Sequence, residues 1–322
     1  MKKAVLLEAE AVSPDGLSWE PVQNLCDLTI YPNSTEEEKW DRIGDAEIVL
    51  TNKIKIDEAT LGRFPKIRYV GVCATGYNVV DLDAARRRGV TVTNVPAYST
   101  SSVAQHTFAL MLDLASKITV HDESVKRGDW IRSEVFCYWN EPVTELEGKI
   151  LGICGFGSIG RRVAQIAQAF GMKVMVNTAH PSQYLNSIGP SLRFADFGSM
   201  LHYSDIITFH CPLTKETEQI VRRENIERMK DGVLLINVAR GGLVNERDLA
   251  EALRSGKVAG AGIDVISEEP MKPDNPLLHA PNILITPHIA WASREARTRL
   301  IGCVASNLAA WLSGAPQNVV NP

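Results

Sequence analysis

The chain has 322 residues, 45% of them hydrophobic and 22% charged, and a formal net charge of −4 at pH 7. This length exceeds what one ordinary hydrophobic core requires, so the sequence predicts about two domains. Without a basic excess, nucleic acid and anionic membranes are not expected as partners. No apolar stretch approaches the roughly 20 residues of a membrane span.

The first hundred residues alternate short apolar runs with polar helical patterns. The predicted strands are Ala4–Leu7, Ala46–Leu50, Ile67–Val72 and Val90–Thr93, and the predicted helices are Thr35–Ile43 and Leu82–Arg88. Alternation of this kind predicts parallel βαβ units. The chain start, Met1-Lys2-Lys3 followed by an apolar run, predicts a first strand rather than a secretory signal.

The middle of the chain does not show the alternation of strands and helices. Ser101–Ile118 is a long helical pattern with few breakers, and Gly128–Gly148 is a polar stretch rich in aromatic residues, among them Trp130, Phe136, Tyr138 and Trp139. Exposed aromatic residues at this density suggest a surface for a second subunit. A long loop that packs on its own domain fits the pattern equally well.

From Lys149 onward the alternation of strands and helices starts again. The predicted strands are Ile150–Cys154, Lys173–Val176, Ile206–Phe209, Val233–Asn237, Ala259–Ile263 and Ile283–Thr286. The predicted helices are Ile159–Phe170, Met200–Tyr203, Arg223–Lys230, Glu246–Ser255 and Ser293–Leu312. Both halves of the chain therefore predict an α/β fold with doubly wound parallel sheets of the Rossmann-like kind.

The cysteines are scattered without a C-x-x-C pair, at Cys26, Cys73, Cys137, Cys154, Cys211 and Cys303. This distribution argues against a disulfide framework or a zinc site, and no metal is expected. Cys73, Cys154 and Cys211 lie in apolar, strand-like contexts in which a buried free thiol is usual. Free thiols predict a reducing, cytoplasmic location.

A glycine-rich turn follows the strand Ile150–Cys154 and precedes a helix; it reads Gly155-Phe156-Gly157-Ser158-Ile159-Gly160. In a G-x-G-x-x-G turn the first glycine permits the tight turn, and the second lets the backbone approach a pyrophosphate. The third lets helix and strand pack closely, and the helix N-terminus offers N–H groups to the phosphates. The strand–turn–helix context therefore predicts a dinucleotide site.

The next strand carries the residue that usually separates NAD from NADP. An acidic residue roughly 20 residues after the first glycine binds the ribose 2′-hydroxyl of NAD. Thr178 stands at that place, and the neighbouring polar groups are Asn177, His180 and Ser182, with no arginine close by. We expect NAD as the cofactor, and the sequence leaves NADP open.

Polar residues also follow three later strands, at the edge where open α/β sheets bind ligands. Arg240 precedes two glycines, Glu269 lies in the segment Asp264–Pro270, and His288 stands between a strand and the last helix. Reduction of a 2-oxo acid needs a cation for the carboxylate, a proton donor for the carbonyl oxygen, and a group that keeps this donor protonated. Arg240, Glu269 and His288 supply these three roles.

The order of these motifs resembles that of the D-isomer-specific 2-hydroxyacid dehydrogenases over nearly the whole chain. The motifs Gly-x-Gly-x-x-Gly, Asn-x-Ala-Arg-Gly-Gly, Asp-x-x-x-x-Glu-Pro and Thr-Pro-His begin at Gly155, Asn237, Asp264 and Thr286. The runs 72–81 and 136–139 look most like glycerate dehydrogenases, also called hydroxypyruvate reductases. The resemblance implies hydride transfer between a nicotinamide cofactor and a small D-2-hydroxy acid or 2-oxo acid.

The resemblance also implies roles for individual residues. Arg240 would bind the substrate carboxylate and polarise the 2-oxo group. His288 would donate the proton during reduction, and Glu269 would hydrogen-bond His288 and keep it charged. Further substrate contacts would come from Ala74, Thr75, Gly76 and Tyr98.

A larger set of residues is implied to contact the cofactor. It comprises Gly155, Phe156, Gly157, Ser158, Ile159, Gly160, Thr107, Thr178, His210, Cys211, Pro212, Thr217, Val238, Ala239 and Asp264. Asp264 would lie near the nicotinamide carboxamide, whereas His210 and Pro212 would line the cofactor cleft.

The family fold has two doubly wound domains with the active site in the cleft between them. Here it implies a discontinuous substrate-binding domain, residues 1–100 plus 291–322, and a dinucleotide-binding domain, residues 101–290. Family members are usually homodimers, with Gly128–Gly148 reaching the partner. A dehydrogenase that prefers D-lactate or glyoxylate and a non-catalytic, NAD(H)-sensing scaffold both remain open.

Overall fold

The computed structural model describes residues 1–187, 189 and 191–322. The chain folds into two compact units. Unit 1 consists of Met1–Ser99 and Ala292–Pro322, and unit 2 consists of Thr100–Trp291. Each unit contains one parallel sheet with helices, so the predicted α/β fold with two doubly wound sheets is confirmed.

Unit 1 is built on a five-stranded parallel sheet in the order β2-β1-β3-β4-β5. Its strands are β1 (Lys3–Leu6), β2 (Asp27–Ile30), β3 (Ile48–Thr51), β4 (Tyr69–Val72) and β5 (Thr91–Thr93). Every residue of β3 and β4 is buried. Central parallel strands are covered on both faces, which explains why they are continuous apolar runs in the sequence.

Short helices and the C-terminal helix cover the sheet of unit 1. They are α1 (Glu20–Gln23), α2 (Lys39–Arg42), α3 (Glu58–Arg63), α4 (Leu82–Arg87) and the C-terminal helix Arg294–Leu312. The C-terminal helix packs against α1 and β4. Its N-terminus is capped by Ser293, whose hydroxyl accepts a hydrogen bond from the Ala296 N–H.

Unit 2 has a seven-stranded parallel sheet in the order β12-β11-β10-β9-β6-β7-β8. Its strands are β6 (Ile150–Cys154), β7 (Lys173–Asn177), β8 (Leu192–Phe194), β9 (Ile206–Phe209), β10 (Val233–Asn237), β11 (Val258–Ile263) and β12 (Ile283–Ile285). The strand order reverses between β6 and β9. Doubly wound sheets bind ligands at the carboxyl ends of the strands beside such a switch point.

The helices of unit 2 are α5 (Thr100–Ser116), α6 (Ile118–Lys126), α7 (Ser158–Ala169), α8 (Phe197–Tyr203), α9 (Arg223–Glu227) and α10 (Glu246–Ser255). The long helix α5 packs on α7, β10 and β11, and buries one face in the core of the unit. No helix in the described part of the chain is long and apolar enough to cross a bilayer.

Several predicted elements differ from the structure for local reasons. The helix predicted over Ser101–Ile118 ends at Ser116, because Lys117 adopts a left-handed φ of 55° before α6 begins. The helix predicted over Thr35–Ile43 is regular only over Lys39–Arg42. The strands β2 and β8 were not predicted; both are short and lie at sheet edges, where fewer apolar residues are needed.

Candidate active site

The glycine-rich turn lies at the switch point of the sheet of unit 2. Gly155 has a φ of 96°, which only glycine adopts readily, and a Cβ there would lie 2.5 Å from the Cys211 nitrogen. A Cβ on Gly160 would overlap the Gly155 carbonyl oxygen. A Cβ on Gly157, in contrast, would meet no atom within 4 Å. Two glycines therefore close the turn, and the middle one faces open space.

The start of α7 fits the phosphates of a dinucleotide. Gly157 is the N-cap residue and supplies no side-chain hydrogen bond to the first turn of the helix. The first N–H groups of a helix lack intrahelical acceptors, and together with the helix dipole they favour an anion. Gly157 and Ser158 are both exposed. The open backbone and the unfilled space over Gly157 match the cradle that a pyrophosphate requires.

His210 contributes a neutral ring beside this turn. Its Nε2 atom lies 3.0 Å from the Thr208 hydroxyl, and its buried Nδ1 atom has no hydrogen-bond partner among the described residues. Burial lowers the pKa of His210 to about 3. The imidazole is therefore uncharged near neutral pH and adds no positive charge to the cradle.

The end of β7 offers only neutral groups at the position where a ribose would bind. Thr178 is half-buried, and its hydroxyl lies 3.4 Å from the His180 N–H. The Asn177 amide donates to the Ala195 carbonyl at 3.2 Å. The guanidinium of Arg161, in the first turn of α7, lies 5.6 Å from the ring centre of Tyr184. This arrangement has neither the carboxylate typical of NAD sites nor a dedicated 2′-phosphate clamp.

The three predicted catalytic residues follow neighbouring strands. Arg240 comes after β10, Glu269 after β11 and His288 after β12, and these strands are adjacent and parallel. The Nδ1 atom of His288 lies 2.7 Å from Glu269 Oε2, with side-chain exposures of 29% and 33%. Since Nδ1 faces the carboxylate, Nε2 is the ring nitrogen left to exchange a proton with a ligand.

A buried carboxylate holds the loop that carries His288. Asp264 Oδ1 accepts hydrogen bonds from the Thr286 hydroxyl at 2.6 Å and the Ile289 N–H at 2.9 Å, and Oδ2 accepts one from the Ala290 N–H at 2.9 Å. The Asp264 carbonyl accepts from the His288 N–H at 2.8 Å. His288 has a φ of 55°, an uncommon conformation for a residue with a side chain. These bonds on both sides of His288 maintain that conformation.

His106, on α5, extends this network and was not predicted. Its Nε2 atom lies 2.9 Å from the Thr286 hydroxyl and 3.5 Å from Asp264 Oδ1. The single hydroxyl hydrogen of Thr286 is donated to Asp264, so Nε2 of His106 carries a hydrogen and donates it to Thr286. His106 lies in the predicted helix Ser101–Ile118, but no spacing rule connected it to a loop 180 residues later.

An analogous arrangement holds the loop that carries Arg240. The buried Asn237 donates from Nδ2 to the Arg240 carbonyl at 2.9 Å and accepts from the Ala239 N–H at 3.1 Å. Arg240 is exposed, and the hydrogen bond that its guanidinium makes in the described structure goes to the Ala239 carbonyl, at 2.7 Å. A Cβ on Gly241 would overlap the Ile266 backbone, so this loop needs glycine to approach the next one. The guanidinium is left available for an anion.

Three of the predicted cofactor residues have buried side chains. The Phe156 ring is buried and packs edge-on against Tyr184, so only its backbone faces the turn. Thr107 is fully buried, and its hydroxyl donates to the Val103 carbonyl at 2.8 Å. The carboxylate of Asp264 is fully buried among the loop donors. In this structure the three side chains pack in the core or hold a loop, and their contact with a cofactor stays a prediction.

The other predicted cofactor residues surround the switch point. Ile159 and Ala239 are half-buried, Val238 is buried and Pro212 is exposed. The Thr217 hydroxyl donates to the Pro212 carbonyl at 2.7 Å and accepts from the Thr214 N–H at 2.7 Å. Cys211 is buried beside Cys154. Direct contact of these residues with a cofactor stays a prediction.

The predicted substrate residues Ala74, Thr75 and Gly76 belong to unit 1, in the loop after β4. Amide side chains hold this loop: Asn52 donates to the Cys73 carbonyl and Asn94 to the Thr75 carbonyl, both at 2.8 Å. Within the described residues, no acceptor occurs for the N–H groups of Thr75 and Gly76. Two free N–H groups in sequence can bind a carboxylate.

Tyr98, the remaining predicted substrate residue, is half-buried in unit 1, and its carbonyl accepts from Arg299 Nε at 2.9 Å. A joint action of the unit 1 residues with the catalytic residues of unit 2 stays a prediction. In the described part of the chain, no cluster of three or more His, Cys, Asp or Glu side chains could hold a metal ion.

The sheet order of unit 2, the cradle at its switch point and the His288–Glu269 pair on a neighbouring strand end define a class of protein. It is a dinucleotide-dependent oxidoreductase. Residues 108–290 match the model of the family described as D-isomer specific 2-hydroxyacid dehydrogenase, NAD binding domain. The chain belongs to this family.

Known proteins resemble the chain over almost its whole length. A hydroxypyruvate reductase from Blautia hydrogenotrophica is 45% identical over 322 residues, which cover 99% of both chains. A glycerate dehydrogenase from Methylorubrum extorquens is 41% identical over 288 residues, 89% of both chains. In three dimensions, the TT0316 protein from Thermus thermophilus superimposes with a TM-score of 0.86 at 32% identity, covering 99% of both chains. The predicted family is thus confirmed.

Proposed function

We propose that this NAD(P)-linked 2-hydroxy acid oxidoreductase interconverts hydroxypyruvate and D-glycerate. The hydrogen-bonded pair of His288 and Glu269, 2.7 Å apart, carries the proposal because it provides a proton donor on the same sheet edge as a free guanidinium. The choice of substrate is supported by the names of the relatives that are 45% and 41% identical.

Arg240 binds the carboxylate of the 2-oxo acid. Its exposed, planar guanidinium can form two parallel hydrogen bonds to the two carboxylate oxygens. Asn237 fixes the direction in which the side chain leaves the backbone, through its bonds to both flanking peptide groups. A bound carboxylate would therefore orient the 2-oxo carbon of the substrate at a defined position along the strand ends.

His288 transfers the proton at Nε2. During reduction, the carbonyl oxygen of the substrate becomes a hydroxyl, and Nε2 donates the hydrogen that it needs. Glu269 contacts the opposite ring nitrogen at 2.7 Å and so fixes the ring in the orientation that leaves Nε2 for the ligand. In the oxidation direction Nε2 accepts the same proton.

The dinucleotide is held by the backbone of residues 155–160 and by the start of α7. When bound, the nicotinamide cofactor supplies or accepts the hydride. The name of the matched family domain supports NAD as the cofactor. With Thr178 directly after β7, no carboxylate there repels the 2′-phosphate of NADP, so we propose that NADP is also accepted. NADP is accepted less well than NAD because no dedicated clamp among the described residues holds its 2′-phosphate.

A substrate panel tests the proposal. Hydroxypyruvate, glyoxylate and pyruvate are each supplied with NADH and with NADPH, and oxidation of the reduced cofactor is followed. We expect the highest kcat/KM for hydroxypyruvate with NADH. A higher value for pyruvate or glyoxylate would transfer the assignment to a D-lactate or glyoxylate enzyme. Absence of turnover with all three acids would favour a dinucleotide-sensing scaffold.

We also propose that the protein is a homodimer formed through the segment Gly128–Gly148. Ile131 and Phe136 are each 88% exposed. The segment is nevertheless anchored, because the Tyr138 hydroxyl bonds to Ser124 on α6, and the Trp130 ring donates to the Phe136 carbonyl at 3.0 Å. An anchored segment that exposes large apolar side chains is typical of a protein interface.

Sedimentation equilibrium tests the dimer. We expect a dimer for the natural protein and a monomer for the double variant Ile131→Asp, Phe136→Asp. The matched control is Leu278→Asp, at an exposed leucine outside this segment, which should leave the dimer intact. A natural protein that sediments as a monomer at micromolar concentration would exclude the proposal.

The six free cysteines support a reducing, cytoplasmic location.

A further inference from the structure

Two thiols meet at the switch point of the sheet of unit 2. Cys154 is the last residue of β6 and Cys211 follows shortly after β9, and their Sγ atoms lie 3.7 Å apart. Both residues are buried, with exposures of 3% and 9%. They are 57 residues apart in the sequence, so no spacing rule could identify them as neighbours.

The pair differs from the other cysteines of the chain. Among the described residues, this is the one pair of thiols in mutual contact, and Cys137 is the one exposed cysteine. The Cys154 thiol donates a hydrogen bond to Cys211, which lowers the pKa of Cys211 and, with burial, raises that of Cys154. Cys211 is consequently the sulfur that loses its proton more readily and reacts as a nucleophile.

The two cysteines are directly connected to the cradle. Gly155, the first residue of the glycine-rich turn, follows Cys154 in the chain. A Cβ on Gly155 would lie 2.5 Å from the Cys211 nitrogen, so the turn and the loop after β9 are already in backbone contact. We expect closure of the two sulfurs to press the turn against this loop, because the two segments are closely packed.

We propose that Cys154 and Cys211 form an oxidisable dithiol site, which hydrogen peroxide converts to a disulfide that weakens dinucleotide binding at the adjacent turn. The sulfurs close from 3.7 Å to the roughly 2.05 Å of a disulfide bond. The effect on binding rests on the proposed role of residues 155–160 as the cradle, whereas formation of the bond does not.

The reaction balances with one peroxide for each pair. The Cys211 thiolate attacks one peroxide oxygen, the O–O bond breaks, and the leaving hydroxide takes up the thiol proton to give water and a sulfenic acid. The Cys154 sulfur then attacks the Cys211 sulfur, the S–O bond breaks, and the departing hydroxide takes up the Cys154 thiol proton and leaves as water. Two thiols lose two electrons in total, and the peroxide is reduced to two waters.

The experiment treats the full-length protein with hydrogen peroxide, with and without NADH. The remaining thiols are alkylated, the disulfide is located by mass spectrometry of non-reduced peptides, and NADH affinity is measured by fluorescence titration. We expect a Cys154–Cys211 bond and an NADH affinity that falls by about tenfold or more. Dithiothreitol should restore the affinity, and bound NADH should slow the oxidation.

Two variants serve as controls. Cys154→Ala should bind NADH normally both before and after treatment, because it cannot form the bond. Cys137→Ala removes the exposed thiol and should stay as sensitive as the natural protein. A Cys154–Cys211 bond without a change in NADH affinity would overturn the proposal, as would a bond to another cysteine or an affinity loss in Cys154→Ala. Weak NADH binding before any oxidation would instead count against the proposed function.

Discussion

The sheet of unit 2 builds two sites at its carboxyl edge in different ways. Beside β6 and β9, the cradle consists of backbone groups, and it depends on the absence of side chains at Gly155, Gly157 and Gly160. Beside β10 to β12, the site consists of side chains, and buried polar residues, Asn237 and Asp264, hold their loops. Substitutions at the first site should therefore alter binding, and those at the second should alter turnover.

The largest expected effect is at the second site. His288→Asn removes the proton donor, and loss of a general acid lowers kcat by about 10²- to 10⁴-fold. The dissociation constant for NADH should stay unchanged, because the cradle is untouched. Steady-state kinetics with hydroxypyruvate and fluorescence titration with NADH measure the two quantities.

His279→Asn is the matched control, since His279 is exposed and lies in the same unit. It should leave both kcat and NADH affinity unaltered. If His288→Asn turned over at nearly the natural rate but bound NADH weakly, the two sites would not be separable in the way described.

A second prediction separates two glycines of the cradle. A Cβ on Gly160 overlaps a backbone oxygen, so Gly160→Ala should lower the free energy of unfolding by about 1–3 kcal/mol, the usual cost of overpacking. Gly157→Ala meets open space and has a φ of −70°, so the fold should tolerate it. Its added methyl group occupies the space over the cradle and should weaken NADH binding at unchanged stability.

Thermal unfolding without ligand and NADH titration of both variants check this contrast. Normal NADH affinity in Gly157→Ala would show that the phosphates do not approach this glycine. Unchanged stability in Gly160→Ala would mean that the turn can open to accommodate a methyl group.

A third prediction concerns the residue that holds Arg240. Asn237→Ala leaves the Ala239 N–H and the Arg240 carbonyl without their partner, at a cost of about 1–3 kcal/mol in stability. The KM for the 2-oxo acid should rise more than the NADH dissociation constant, because the guanidinium loses its fixed direction. Kinetics at saturating NADH measure this difference.

Asn245→Ala is the control for a purely structural loss. Asn245 caps α10 by accepting from the Asp248 N–H, and removal of such a cap costs about 1 kcal/mol. Stability should fall in both variants, but KM should rise only in Asn237→Ala. An equal rise in both would reduce Asn237 to a structural residue.

The last prediction is a pH dependence of stability. His210 has a folded-state pKa of about 3, so between pH 6.5 and 3 the unfolded chain binds a proton that the folded protein does not. Its contribution to stability is complete above pH 6.5 and is lost as the pH falls towards 3. Urea unfolding across this range should show a shallower pH dependence for His210→Gln, whereas His202→Gln, at an exposed position, should match the natural protein.

The cradle was predictable from sequence because it depends on local features. A strand, three glycines at fixed spacing and a helix are contiguous, and each glycine answers a steric requirement of the turn. Most strands of both sheets were predicted for the same reason, since parallel strands buried on both faces are continuous apolar runs. The edge strands β2 and β8 carry a weaker apolar signal and escaped prediction.

The residues that hold the loops of the second site can be recognised only from contacts between distant parts of the chain. Arg240, Glu269 and His288 were singled out from the sequence because their chemistry is coherent and the family motifs include them. His106 and the Cys154–Cys211 pair were not, because their partners are 180 and 57 residues away. The side chains of Thr107 and Phe156 pack into the core, and their predicted contact with a cofactor stays a prediction.

A double-mutant cycle on the His288–Glu269 pair tests the central claim most directly. Single-turnover oxidation of bound NADH by hydroxypyruvate is compared for His288→Asn, Glu269→Gln and the double variant. If Glu269 acts through His288, the double variant should be about as slow as His288→Asn alone, as is usual for residues that act as one unit. If the rate reductions of the two single variants multiply in the double variant, the two residues act independently. That result would contradict this account.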